Sequence, residues 1–172
     1  FYDTYYWPNN STVVVLGAAD HSLADGQITL DGGSRASADY VAFPARRFDG
    51  LTNMSVEIWA TPNAVQNWSR VFDLGDGTTT SSSFLLSFSQ GNNLNAQRLE
   101  FLPSGTANST LPTTLETQYH YVVTWDEAAG TCSWYRDGEF VNSFPLNGQT
   151  LANVPNSAFW LGRSHYGGDA TA

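Results

Sequence analysis

The sequence predicts an all-β fold of many short strands, and three observations carry that expectation. Ser and Thr supply 34 of the 172 residues and Asn another 13, gathered into short polar stretches between β-branched and aromatic runs, the pattern of strands joined by turns. Two of the runs alternate apolar and polar residues with period two, which marks a strand with one buried and one wet face. No segment of useful length carries apolar residues at helical spacing.

Taken in order, the apolar runs fall at residues 13–16, 27–30, 40–43, 55–60, 70–74, 84–88, 99–102, 119–125, 132–135, 140–144 and 159–161, or roughly eleven short strands. In Ser55-Val-Glu-Ile-Trp-Ala60, Val56, Ile58 and Ala60 share one face; in 119–125, Tyr119, Tyr121, Val123 and Trp125 share another. Asp137-Gly138 stands between two strand-like runs and suits the two positive-φ positions of a type I′ hairpin turn. A looser turn at Asp126-Glu-Ala-Ala-Gly130 joins the preceding strand, so 119–144 reads as a three-stranded meander. The Thr/Ser run at 78–83 and the Asn-rich stretch at 90–96 read as loop tips, and no boundary, repeat or tail divides the chain.

Composition narrows the function classes. Apolar residues make up 41%, aromatics 14% and charged residues 13%, which argues for one globular domain and against disorder or a membrane protein. No apolar run approaches the about eighteen residues of a membrane span, and the start at Phe1-Tyr2-Asp3 has no basic region before an apolar one. A net charge of −9 with no lysine repels a phosphate backbone, so nucleic acid is not an expected partner. It leaves room for hard cations such as Ca²⁺, although an acidic solvated surface is the commoner explanation. Cys132 is alone; no disulfide forms within the chain, and it reads as a buried thiol.

Several motifs follow one another in a familiar order: Asp25-Gly-Gln-Ile-Thr-Leu-Asp-Gly32, Asp39-Tyr-Val-Ala-Phe-Pro44, Leu51 to Ala60, and Trp68-Ser-Arg-Val-Phe-Asp-Leu-Gly75. His120-Tyr-Val-Val-Thr-Trp-Asp126, Tyr135-Arg-Asp-Gly138 and Trp160-Leu-Gly-Arg-Ser164 continue it. Together they resemble the laminin G-like jelly roll of the concanavalin A-like lectin/glucanase superfamily. The resemblance implies a two-sheet antiparallel sandwich forming a single domain over 1–172, apparently lacking the family's first and last strands. Either the chain is a piece of a longer one, or a neighbour supplies a strand by β-augmentation. The function implied is that of a non-catalytic extracellular or cell-surface module for recognition or adhesion, binding glycan or protein as part of a larger surface protein. The alternative is a structural subunit of an extracellular filament or sheath, completed by copies of itself.

The resemblance also nominates residues. Calcium, where family members hold it, is matched by Asp3 and Asn9, with Asp169 as a substitute for an acid of the last strand. Arg70, with Asp73, and Arg163 stand where the family keeps charged residues, either steadying loops or touching ligand. Trp59 and Trp134 fall at core positions of the family, whereas Trp68 and Trp125 are candidates for stacking on a ligand.

No catalytic constellation emerges. Glu57, Glu100, Glu116 and Glu139 are scattered singly, without the paired carboxylates of a glycosidase. His21, His120 and His165 share no metal-ligand spacing with Cys132 and read as surface or turn histidines. There is no phosphate loop or nucleophile elbow. Asn-x-Ser/Thr sequons at Asn9, Asn10, Asn53, Asn67 and Asn108 permit glycosylation.

Overall fold

A computed structural model of the chain describes residues 5–7, 11–16, 20–22, 26–34, 36–77, 83–102, 104–166 and 169–171. In chain order the strands are β1 (Tyr5–Trp7), β2 (Ser11–Leu16), β3 (Asp20–Ser22), β4 (Gln27–Thr29), β5 (Gly33–Ser34), β6 (Tyr40–Phe43), β7 (Asn53–Ala60) and β8 (Arg70–Gly75). They continue as β9 (Phe84–Ser87), β10 (Gln97–Phe101), β11 (Gly105–Ser109), β12 (Tyr119–Asp126), β13 (Thr131–Arg136), β14 (Glu139–Pro145), β15 (Ala158–Leu161) and β16 (Ala170–Thr171). Every expected run is a strand. The additions β1, β3, β5, β11 and β16 are short, and β11 carries the weak strand formers Gly-Thr-Ala-Asn-Ser. Pairing with β10 places it in the sheet.

The alternating runs form the smaller sheet, ordered β14-β13-β12-β7. Tyr119, Tyr121, Val123 and Trp125 of β12 all point inward and are buried. The turn between β13 and β14 has φ of 56° at Asp137 and 85° at Gly138, the two left-handed positions of a type I′ turn. Asp137 Oδ1 accepts the His120 amide at 2.9 Å, tying the turn to the next strand. Asp126 Oδ1 closes the preceding turn on the Ala129 amide, also at 2.9 Å.

The larger sheet runs β1-β2-β6-β15-β8-β9-β10-β11, with β15 inserted between β6 and β8 from late in the chain. All described pairings are antiparallel. Between the sheets the rings pack edge to face, with Trp125 of β12 lying 5.6 Å from Phe84 and 5.2 Å from Phe101, as ring quadrupoles favour. β8 and β9 are buried along their whole length, and His165 packs against β8 at Asp73 and Gly75. His165 is fully buried there, stacked on Trp160 at 4.2 Å. It sits so close that a Cβ at position 75 would lie 2.6 Å from its ring, so Gly75 is required by proximity. His165 is therefore a buried packing residue, not the surface or turn histidine its isolation in sequence suggests.

Candidate functional site

Strand β7 is the edge of the smaller sheet, and residues of β7, β6, β15 and β8 line a common cleft. There the segment 26–32 and the connection 61–66 border a cleft of about 640 Å³, a size that suits a small ligand. Val41, Ile58, Val71, Phe88 and Leu161 line its apolar part, and Thr29, Asp31, Asn63 and Gln66 supply exposed polar side chains.

Trp59 stands at this cleft. Because Met54, Val56 and Ile58 turn toward the core, period two sends Glu57 and Trp59 to the outer face, and Trp59 is 59% exposed. The register pairs it with His120 of β12. The two rings stack at 4.2 Å with planes 17° apart, and His120 Nε2 lies 2.8 Å from Glu57 Oε1. His120 thus covers part of the indole, which stays more than half exposed. The family resemblance places Trp59 in the core; the structure corrects this. The alternation of β7 alone already carries the right answer, while the register that brings His120 onto it is not written in either strand.

The other nominated residues distribute differently. A register shift between Arg70 and Phe72 lets Arg70 and Asp73, three apart and hence on opposite faces of a regular strand, share one face. Arg70 is 2% exposed. It donates from Nε to Asp73 Oδ2 (2.9 Å), from Nη1 to Trp68 O (2.6 Å) and from Nη2 to Asp169 Oδ2 (2.7 Å). His165 Nδ1 is 2.9 Å from Asp73 Oδ1, off the line of a good hydrogen bond. This clasp ties Ser164, His165 and Asp169 to β8. Trp68 joins it with φ of 59°, unusual for a bulky residue, held between Arg98 at 5.0 Å and Arg70 at 6.0 Å. Arg163 lies over Tyr40 at 4.1 Å and Trp160 at 4.7 Å. Trp125 is corrected: at 1% exposure inside the core, it offers no face to a ligand.

Asp169 does not fit a cation here, since the Arg70 guanidinium and the Ser164 hydroxyl (3.0 Å) already hold its Oδ2. Asp3 and Asn9 lie outside the described residues, as does the Asn10 sequon. Among the described residues no three His, Cys, Asp or Glu side chains gather as metal ligands. Of the remaining sequons, Asn53 and Asn108 are exposed and Asn67 is half-buried; Asn108 Oδ1 accepts from Arg98 Nε at 2.9 Å.

Two antiparallel sheets around one aromatic core, with this strand order, agree with a family match that spans residues 33–172. The chain belongs to the concanavalin A-like lectin/glucanases superfamily, as a laminin G-type domain. No curated protein sequence shows significant similarity to this laminin G-type chain. Among solved structures it is similar to domain 4 of AbnA, a GH43 extracellular arabinanase from Geobacillus stearothermophilus in complex with arabinotriose. That match has a TM-score of 0.69 and 12% identity over 95% of this chain and 80% of that one. It is also similar to the binding domain of botulinum neurotoxin DC, solved in complex with SialylT (TM-score 0.65, 12% identity) and with rat synaptotagmin II (0.63, 11%). Each covers 95% of this chain, which spans only 39% and 40% of the neurotoxin chains.

Proposed function

We propose that this laminin G-type chain is a non-catalytic glycan-recognition module, carried extracellularly by a larger surface protein. The observation that carries the reading is the cleft beside β7, bordered by the exposed Trp59 together with Thr29, Asp31, Asn63 and Gln66. An aromatic face covers the apolar side of a sugar ring, and short polar side chains meet its hydroxyls. Structures of similar fold solved with arabinotriose and with SialylT support this choice over a protein ligand, although another was solved with rat synaptotagmin II.

Catalysis is disfavoured by access. Asp73 and Asp169 do converge on one guanidinium, a carboxylate pair of the sort a glycosidase uses. Asp73, however, is fully buried, and Arg70 holds an oxygen of each. The test is a glycan array followed by calorimetry on the best binder. Trp59→Ala is expected to weaken that binding roughly tenfold while the melting temperature stays put. Undiminished binding by Trp59→Ala would remove the cleft from the proposal.

A further inference from the structure

We infer that the cleft takes an uncharged saccharide, and that Asp31 excludes anionic ones; this rests on the glycan-binding reading above. Asp31 is exposed at the cleft and has no ion pair among the described residues. Among the described residues the only arginine bordering the cleft is Arg70, whose guanidinium is buried and shared among Asp73, Asp169 and the Trp68 carbonyl. No basic side chain among the described lining residues is therefore free to meet a sialate, uronate or sulfate.

The wider field has the same sign, since the chain carries a net charge of −9 and no lysine. An anionic sugar in the cleft meets the unpaired Asp31 carboxylate and an acidic surface, so its charge costs affinity and lowers its association rate. A neutral ring loses nothing to that field. It can use Asp31 as a hydrogen-bond acceptor for its hydroxyls, with Asn63 and Gln66 offering both donors and acceptors. The same carboxylate thus favours one class of sugar and repels the other.

The experiment compares each neutral oligosaccharide on an array with its sialylated, uronic-acid and sulfated counterparts, at low and high salt, for the native chain and Asp31→Asn. The expected result is that the native chain binds neutral members, prefers them about tenfold at low salt, and loses much of that preference at high salt. Asp31→Asn is expected to narrow the preference at low salt. Equal or stronger binding of the anionic members, or a preference untouched by Asp31→Asn, overturns the inference while leaving glycan binding intact. Silence of the whole array overturns the glycan reading itself, and this inference with it.

Discussion

Cys132 and Tyr121 are polar groups held where their charged forms cannot be solvated. Burial pushes the Cys132 thiol and the Tyr121 phenol well above their ordinary ranges. Both groups stay protonated in the folded chain while the unfolded chain ionises, so their contribution is complete below the unfolded values and is lost as pH rises past them. Stability is expected to fall from about pH 8.5 upward, by about 1.4 kcal/mol per pH unit from Cys132 alone. Urea titrations across that range check it, and Cys132→Ala should flatten the slope. The native thiol should also resist iodoacetamide until the chain unfolds. Arg70 is the opposite case, a buried charge with all its partners in place. Arg70→Met strands Asp73 in the interior and is expected to cost about 3–5 kcal/mol in urea unfolding, part of which Asp73→Leu should restore.

At the scale of elements, glycines at close approaches and turns set the register. Gly75→Ala drives a methyl into the His165 ring and is expected to destabilise by about 1–3 kcal/mol, seen as a lower denaturation midpoint. The meander β12-β13-β14 was legible in the sequence because its signals are local: period-two alternation, an Asp-Gly turn, and an Asp cap on the preceding turn. The clasp was only half legible. Arg70 and Asp73 stood out by resemblance, but the bulge that puts them on one face depends on pairing with β9, and Asp169 arrives from ninety-nine residues away. His165 gave no signal, since its burial is decided by Gly75 and Trp160 on other strands. Trp59 could have been placed by alternation, and was hidden because family likeness spoke for a core position.

Across the whole molecule, stability and recognition rest on different tryptophans. The sheets share one core through Trp125, Phe84 and Phe101, so they are expected to melt in a single transition. Trp125→Ala opens a cavity at the centre of that core and should cost about 3–5 kcal/mol, lowering the melting temperature by roughly 6–20 °C in a chain of this size. Trp59 lies outside the core and its stacking partner His120 is held independently by Glu57, so Trp59→Ala should shift stability by no more than about 0.5 kcal/mol. Binding measured below both melting transitions should reverse the order, with Trp125→Ala retaining ligand and Trp59→Ala losing it. If Trp125→Ala lost ligand while still folded and Trp59→Ala kept it, the ligand would be seated away from the β7 edge. The two variants therefore locate the site whichever sugar fills it.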